Sequence, residues 1–311
     1  MNAVDCSVVI ATYNRAGLLA DTLRALEAQQ VPATVRWEIV VVDNNSRDAT
    51  RDVVQRFRKT AAVTVRYEFE PRQGQSFARN RGIESTAGGV VLFTDDDIIP
   101  EPNWVWGMYT TIATGGYDGA GGRVLPRWEA EVPRWLVGRR DLQSWLALVD
   151  TGQPGTLEYP LVEANRIVGA SMGFRRELFE EFGPFPTSLG HRGARMYGGE
   201  EVVFINRVLF KGRRIRYDPS IVVHHRIRAD RLRRSFFLRR NFDHGCGQAQ
   251  LVPPEQRPGL RDVLRTLRVT AARTLRGDRD ALSLQLVLAT ELGMVWGSRR
   301  WTFPRHPRPE E

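Results

Sequence analysis

The stretch VVLFTDDD, residues 90–97, is the starting point for the fold of this chain. Its apolar run predicts a strand that is covered on both faces, as in the centre of a parallel sheet. Asp95, Asp96 and Asp97 follow directly, so three carboxylates stand at the carboxyl end of a strand, where open α/β sheets bind ligands. Adjacent acids repel one another unless a cation compensates them. Taken alone, such a triplet is more often a solvated acidic turn than a cation site.

Upstream apolar runs at residues 7–11, 38–42 and 63–69 repeat the strand pattern. Segments with helical periodicity separate them, which is the βαβ arrangement of a mainly parallel, doubly wound sheet. The first run ends in ATYNR, residues 11–15, and the second in DNNS, residues 43–46. Because the carboxyl ends of parallel strands lie at one edge, we expect three polar strand ends to face one crevice.

Several classes of protein are disfavoured by what the chain lacks. No glycine fingerprint of dinucleotide sites and no P-loop follows the first strand. Cys6 and Cys246 are too few for a disulfide framework or a zinc knuckle, which suits a reducing cytoplasm. The N-terminus does not resemble a signal peptide, and the apolar stretch 281–297 contains Gln285 and Glu291. We therefore expect a cytoplasmic protein without a spanning helix.

The net charge of +9 is concentrated near the C-terminus. Residues 1–225 hold 27 basic and 27 acidic side chains, whereas residues 226–311 hold 18 and 9. A basic extension on a neutral body suits an anionic membrane or a phosphorylated acceptor, and we expect no nucleic acid partner. The run RLRRSFFLRR, residues 231–240, is consistent with peripheral contact at the inner face of the membrane. A core-packed helix with a basic outer face would explain it equally well.

Taken in order, the motifs of the chain resemble those of the family 2 glycosyltransferases of the GT-A fold. The resemblance covers roughly residues 8–240 and rests on VVIATYNR, EIVVVDNNS, RQGQSFARNRGIESTAGGVVLFTDDD, IIPEPNW, GGEEVVF and PSIVVHHRI. It implies an α/β, Rossmann-like, mainly parallel mixed sheet flanked by helices, followed here by a basic helical extension. It also implies an enzyme that transfers a sugar from a nucleotide-diphosphate sugar to an acceptor hydroxyl with inversion.

The resemblance also implies roles for individual residues on the donor side. The donor would be a UDP-, GDP- or dTDP-sugar, and the acceptor a sugar, a lipid-linked molecule or another small molecule. Independently of the resemblance, an arginine guanidinium can hold diphosphate oxygens bidentately. The segment that wraps the donor's base and ribose is matched by Ala11, Thr12, Tyr13 and Arg15, and the acid that hydrogen-bonds the base or ribose by Asp43. The lining of the nucleotide cleft is matched by Arg72, Arg79 and Asn80, of which the two arginines are expected to hold the diphosphate, and further donor-binding positions by Asp95 and Asp96.

A metal site is implied at the acidic triplet. Asp95 and Asp97 fit the D-x-D pattern, in which the first acid lies nearer the ribose and the second holds the metal, and Asp96 could equally be a ligand. His225, or its neighbour His224, lies where related enzymes carry a histidine that completes the site. Oxygen ligands favour Mg²⁺ or Mn²⁺, and an imidazole favours Mn²⁺.

The catalytic base is implied at the start of a predicted helix, residues 202–210. Related enzymes usually carry Glu-Asp before this helix and use the second acid as the base. Glu201 stands at that place and is one methylene longer, so the base could be Glu201 or Glu200. First-turn acids favoured by the helix dipole would also explain the pair. The segment GASMGF, residues 169–174, matches the acceptor floor, where small residues would let a sugar approach the backbone.

The predicted organisation follows from these assignments. A nucleotidyltransferase would also place carboxylates near a nucleotide, but it typically carries a glycine-rich basic loop after the first strand, which ATYNRAG does not resemble. A non-catalytic nucleotide-sugar-binding protein would not need the acidic triplet, the glutamate pair and the late histidine together. We expect a catalytic domain at 1–228, with a nucleotide-binding half at 1–100 and an acceptor half at 101–228, a basic helical extension at 229–300 and a flexible tail at 301–311.

Overall fold

A computed structural model describes residues 4–161, 167–276 and 281–300 of the chain, and side chains up to residue 297; the tail expected at 301–311 lies outside the described residues. The strands are β1 (Cys6–Thr12), β2 (Trp37–Asp43), β3 (Thr64–Phe69), β4 (Val90–Asp95), β5 (Ile98–Pro100), β6 (Gly119–Trp128), β7 (Gly155–Thr156), β8 (Met172–Arg175), β9 (His191–Arg192), β10 (Arg195–Met196) and β11 (Ile215–Ile227). The helices are α1 (Ala16–Glu27), α2 (Thr50–Thr60), α3 (Gln75–Ser85), α4 (Trp104–Ala113), α5 (Arg140–Gln143), α6 (Glu177–Phe182), α7 (Glu200–Phe210), α8 (Arg234–Gln248), α9 (Leu260–Leu275) and α10 (Ala281–Arg300).

A nine-stranded mixed sheet forms the centre of the described structure. Its order is β3-β2-β1-β4-β8-β6-β11-β5, and β7 pairs with β11. The pairs among the first four strands in this order are parallel, whereas β8 runs antiparallel to β4 and β6. In register, Thr12 lies opposite Asp43, and Ala11 lies opposite Asp95. The predicted mainly parallel sheet, and the meeting of three polar strand ends at one edge, are therefore confirmed.

An aromatic cluster fixes the position of α7 relative to this edge. Its rings come from β4, β8, α6, α7 and the segment before α7, and their centroids lie 4.7 to 5.9 Å apart. Such contacts add about 0.5–1.5 kcal/mol per pair to the burial of apolar area. Phe204 lies one helical turn after Glu200, so its packing also locates the start of α7. The cluster consists of Phe93, Phe174, Phe179, Phe185 and Phe204.

The described residues form two compact units, one from the described parts of Met1–Gly193 and Gly199–Leu232, the other from Ala194–Gly198 and the described part of Arg233–Glu311. In the second unit, α8 and α10 pack almost backbone to backbone. A Cβ atom on Gly245 would come within 2.0 Å of the carbonyl oxygen of Thr290, so only glycine fits there. The division into 1–228 and 229–300 stays a prediction.

The apolar side chains of the run 231–240 differ in exposure. Leu232 and Phe237 are 5% and 0% exposed, and Phe236 and Leu238 are partly exposed. The fully exposed side chains of this run are mainly cationic. The membrane contact expected through 231–240 stays a prediction. Among the helices that the structure describes, none combines the length and hydropathy of a bilayer-spanning segment.

Candidate active site

Asp96 belongs to a buried hydrogen-bond network at the end of β1. Its carboxylate accepts hydrogen bonds from Thr12 Oγ1 at 2.9 Å and from Arg15 Nη1 at 2.9 Å, and only 4% of the residue is exposed. Burial raises the pKa of Asp96 to about 6, although Arg15 opposes the shift. The residue therefore ties the end of β1 to the acidic triplet. Arg15, expected near the base and ribose, is occupied with the aspartates instead.

Asp97 and His225 form the pair that most resembles a metal site. His225 Nε2 lies 3.4 Å from Asp97 Oδ1, and both side chains are 4% exposed. His225 Nδ1 lies 2.8 Å from the carbonyl oxygen of Leu146 and donates to it, so in the neutral ring the lone pair lies on Nε2. This is the tautomer that a metal-binding histidine needs. Arg231 donates to His225 Nε2 at 2.6 Å and to Asp97 Oδ2 at 2.8 Å.

Arg231 was not recognised from the sequence as part of the site. It bridges two groups that commonly bind cations, and Arg15 also lies 3.1 Å from Asp97. Burial alone would raise the pKa of Asp97, but the neighbouring His225 and Arg231 hold it well below its ordinary value. The only signal in the sequence was that Arg231 follows His225 by six residues, so that a tight turn between them can bring the two side chains together. A short 3-10 helix, Ala229–Leu232, makes that turn.

His224 lies away from the acidic triplet. Its Nε2 is 3.0 Å from Glu101 Oε1, and both side chains are substantially exposed. Successive side chains of a strand point to opposite faces, so β11 can direct only one of the adjacent histidines toward Asp97. Of the two histidines expected at the metal site, only His225 therefore lies beside Asp97. Among the described residues, no group of three or more His, Cys, Asp or Glu side chains has the arrangement of a metal site.

Arg79 connects the acidic triplet to the glutamate pair. Its Nη2 donates to Asp95 Oδ1 at 3.1 Å, and its Nη1 donates to Glu200 Oε1 at 2.7 Å. Only 3% of Arg79 is exposed, so it is an internal link and does not offer the diphosphate grip expected from the sequence. A Cβ atom on Gly169 would lie 2.0 Å from Arg79 Nη2. The glycine of the GASMGF segment thus makes room for a guanidinium, whereas we expected it to admit a sugar.

The two glutamates at the start of α7 differ in environment. Glu200 is 2% exposed and paired with Arg79, whereas Glu201 is partly exposed and makes no ion pair in the described part of the chain. The Oε2 atom of each is buried without a hydrogen-bond partner among the described residues. Two ionised carboxylates would only accept hydrogen bonds, so the pair can be satisfied only when one of them is protonated. Arg79 supplies one positive charge for the three carboxyl groups of Asp95, Glu200 and Glu201. If all three were ionised, the group would carry a net negative charge.

This negative charge should make stability depend on pH through Glu200. Burial and the neighbouring Glu201 raise the pKa of Glu200 from 4.5 to about 8. The folded chain then keeps a proton that the unfolded chain releases above about pH 4.5. We expect the free energy of unfolding to fall as pH rises from about 5 to about 8, by at most about 1.4 kcal/mol per pH unit. Urea unfolding at several pH values across this window measures the slope, and Glu200→Gln should flatten it.

Glu70→Gln is the matched control. Glu70 is also a buried glutamate paired with an arginine, but the hydrogen bonds from Arg72 hold its pKa below its ordinary value. It is ionised in both states over the same window, so its replacement should leave the slope unchanged. Equal slopes in the wild type and in Glu200→Gln would show that Glu200 does not hold the proton.

On the nucleotide side, the acid at the end of β2 is already hydrogen-bonded. Asp43 accepts from the backbone N–H of Ser46 and from the Tyr67 hydroxyl, each at 2.8 Å, and it is 3% exposed. Asn44 accepts from the N–H of Gly74 at 2.7 Å and donates to the carbonyl oxygen of Arg72 at 2.8 Å. These bonds shape the loop before α3. Any contact of Asp43 with a base or ribose would have to share its oxygens with them.

The remaining donor-side residues fall into exposed and internal groups. Tyr13 is 37% exposed beyond β1, and the partly buried Ala11 is paired in register with Asp95. The Arg72 side chain is 64% exposed, and its guanidinium carbon lies 4.8 Å from the centre of the Phe77 ring. Asn80, in contrast, uses both ends of its amide on the backbone of Phe185, at 2.8 and 3.0 Å. Tyr13 is therefore available to a nucleotide. Arg72 is exposed, but its Nε and Nη2 each donate to Glu70 at 2.8 Å, so a phosphate would have to share or replace that pair. Asn80 anchors the segment before α7.

The sequence is similar to known glycosyltransferases. It matches the model of glycosyl transferase family 2 over residues 7–183. The succinoglycan biosynthesis protein ExoM of Rhizobium meliloti is 29% identical over 254 residues, which are 82% of this chain and 77% of that protein. The glucosyl-dolichyl phosphate glucuronosyltransferase of Haloferax volcanii is 26% identical over 293 residues, 91% of this chain and 90% of that protein.

A solved structure agrees with this relationship at the level of the fold. The mannosyltransferase PcManGT from Pyrobaculum calidifontis, in complex with GDP-Man and Mn²⁺, superposes with a TM-score of 0.64 at 18% identity. The match covers 95% of this chain and 88% of that chain. The mixed sheet, the meeting of strand ends and the family match all agree with the expectation from the motifs. The chain therefore belongs to glycosyl transferase family 2 and is a glycosyltransferase of the GT-A fold.

Proposed function

We propose that this glycosyltransferase moves a sugar from a nucleotide-diphosphate sugar to an acceptor hydroxyl with inversion, using a divalent metal and Glu201 as the base. The observation that carries the proposal is the bridge through Arg79. It joins Asp95 at the end of β4 to Glu200 at the start of α7, at 3.1 and 2.7 Å. Acids suited to a metal-bound diphosphate and acids suited to proton transfer therefore belong to one continuous site.

Asp97 and His225 are the residues proposed to hold the metal. A carboxylate and an imidazole with its Nε2 lone pair available fit Mn²⁺, and Mg²⁺ also accepts one or two carboxylates together with substrate phosphates. The backbone carbonyl of Leu146 fixes the orientation of His225, as a supporting hydrogen bond does in many metal sites. The chemistry that a divalent ion supplies when bound there is neutralisation of charge on the departing diphosphate. Arg231 would have to release both residues.

Glu201 is the preferred base because Glu200 is already engaged. Glu200 is paired with Arg79, and its raised pKa favours the protonated form, which cannot accept a proton. Glu201 is partly exposed and makes no ion pair with a described residue, so its carboxylate is the freer of the two. In the proposed step Glu201 takes the proton of the acceptor hydroxyl while the hydroxyl oxygen attacks the anomeric carbon. The bond from that carbon to the diphosphate oxygen breaks, and the diphosphate leaves with the electron pair.

The proposed substrates follow from the exposed donor-side residues and from relatives. Tyr13 offers an aromatic surface to a base, and Arg72 offers a cation to phosphate. The structural relative PcManGT holds GDP-Man with Mn²⁺, which supports a nucleotide-sugar donor. The name of the Haloferax volcanii relative specifies glucosyl-dolichyl phosphate, which supports a lipid-linked acceptor among the candidates. UDP-, GDP- and dTDP-sugars are the donors to examine first.

A ligand screen tests this function directly. We expect one of UDP, GDP or dTDP to raise the melting temperature of the protein by a few degrees in the presence of Mn²⁺, because a ligand at about 100 times its Kd adds about 2.7 kcal/mol. The matching nucleotide sugar should then release nucleoside diphosphate when acceptor is supplied. ADP serves as the control ligand. Release of pyrophosphate in a separate assay, from a nucleoside triphosphate and a sugar 1-phosphate, would indicate a nucleotidyltransferase. Binding without turnover over a broad acceptor panel would favour a binding protein.

A further inference from the structure

Helix α9 carries an exposed row of leucines. Leu260, Leu264 and Leu267 follow the spacing i, i+4, i+7, so they lie on one side of the helix. Their exposed fractions are 70%, 42% and 47%, and Leu275 near the end of the helix is 88% exposed. A leucine side chain that stays in water forgoes the favourable free energy of burial, unless a partner covers it. We call these four residues the leucine ridge.

The ridge is not the face that holds α9 to its own unit. The buried positions of α9 are Val263 and Thr270, and Thr266 between them donates a hydrogen bond to Glu291 of α10 at 3.1 Å. The core of this unit is the close glycine-mediated pair of α8 and α10. Helix α9 therefore packs on α10 through a narrow strip of mixed polar and apolar side chains, and its leucine ridge points to solvent.

A strip of arginines lies beside the ridge. Arg261, Arg265 and Arg268 repeat the spacing of the leucines one residue later, which rotates the strip by about 100° around the helix. All three are exposed, and Asp262, the one acid of α9, makes an exposed ion pair with Arg265 at 2.7 Å, so the strip keeps a positive excess. An apolar stripe bordered by arginines is the pattern of a helix that lies in the interface of an anionic bilayer. In such a helix the leucine side chains lie at the boundary between the headgroups and the acyl chains, and the guanidinium groups bind lipid phosphates.

We propose that α9 docks this protein on anionic membranes through the leucine ridge. Charge complementarity favours lipid over a second copy of the chain. In an antiparallel pair of α9 helices, two facing ridges would bring the strips of Arg261, Arg265 and Arg268 together, and like charges oppose such a contact. The docking goes beyond the proposed transfer reaction and does not require it. It also places the membrane contact on a different helix from the run 231–240.

Vesicle flotation of the full chain tests the docking. Binding to vesicles of equal parts phosphatidylcholine and phosphatidylglycerol is expected, with much weaker binding to phosphatidylcholine alone. Leu267→Glu should weaken binding roughly tenfold or more, because it places a charge in the apolar stripe. Val269→Glu is the matched control. It introduces the same side chain into the same helix at a residue that is 44% exposed, about 200° away from Leu267 around the helix axis.

The charged strip gives a second measurement. Replacing Arg261, Arg265 and Arg268 together with glutamine should remove most of the preference for phosphatidylglycerol. These residues are exposed, so melting temperatures close to wild type are expected for every variant. Equal flotation of Leu267→Glu and Val269→Glu, or equal binding to neutral and anionic vesicles, would overturn the proposal. So would a wild-type dimer in solution that Leu267→Glu converts to monomer, since the ridge would then be a protein interface. No donor or acceptor is used, so these results are independent of the transfer reaction.

Discussion

Replacing Glu201 with glutamine is expected to lower the turnover number by about 10²–10⁴-fold while the Kd for the nucleotide sugar changes little, because that is the usual contribution of a general base. Glutamine keeps the size of the side chain but cannot take up the proton of the acceptor hydroxyl. Glu201 is the candidate because it makes no ion pair in the part of the chain that the structure describes. Released nucleoside diphosphate at saturating donor measures turnover, and calorimetric titration of the donor measures binding.

Two further variants make this result specific. Glu177→Gln is the control, since Glu177 is also a first-turn acid, on α6, and is exposed. It should leave turnover unchanged. Glu200→Gln separates the two neighbours, because Glu200 is proposed to position Arg79 rather than to accept the proton. A Glu201→Gln enzyme with near-wild-type turnover, beside an inactive Glu200→Gln enzyme that still folds and binds donor, would transfer the role of base to Glu200.

Replacing Asp97 with asparagine is expected to remove the response to Mn²⁺ and to lower turnover by about 10³-fold, since metal stabilisation of a leaving group amounts to several kcal/mol. The asparagine would keep the shape of the side chain but lose the charge that faces His225 at 3.4 Å. The measurement is the Kd of the nucleoside diphosphate with and without Mn²⁺. Asp118→Asn is the control, because Asp118 also accepts from arginine residues but lies before β6.

Arg231→Gln gives the opposite test of the same pair. Arg231 donates to both Asp97 and His225, so its removal leaves those two groups without a cation between them. We expect the affinity for Mn²⁺ alone to rise, as followed by the paramagnetic resonance signal of free Mn²⁺. If Asp97→Asn kept metal-dependent nucleotide binding and Arg231→Gln bound Mn²⁺ no better than wild type, the metal would belong to Asp95 rather than to Asp97.

Much of the fold could be predicted because its signals are local. The β-branched runs that became β1, β2 and β4 are buried along almost their whole length, and such strands read as continuous apolar stretches. The position of Asp95 at a strand end follows from the same run. The extension at 229–300 was expected to be helical, and α9 lies within it with a regular apolar spacing.

The partners within the site could not be predicted, because they join distant parts of the chain. Arg79 and Glu200 are separated by 121 residues, and Arg231 and Asp97 by 134. An arginine in a sequence does not reveal whether its guanidinium will be buried between two carboxylates or left in water. Arg79 and Arg72 were both expected to hold the diphosphate, yet the side chain of Arg79 is 3% exposed and that of Arg72 is 64% exposed.

The sequence by itself determined that carboxylates would stand at the carboxyl edge of a parallel sheet, because strand periodicity and motif order are carried by neighbouring residues. Only the tertiary structure decided which groups face them. Strand alternation allows one of two adjacent histidines to reach Asp97, but the register of β11, with its irregularity between Asp218 and Val222, selects His225. In the same way, packing around Phe204 sets the start of α7 and leaves Glu201, rather than Glu200, without an ion pair in the described structure.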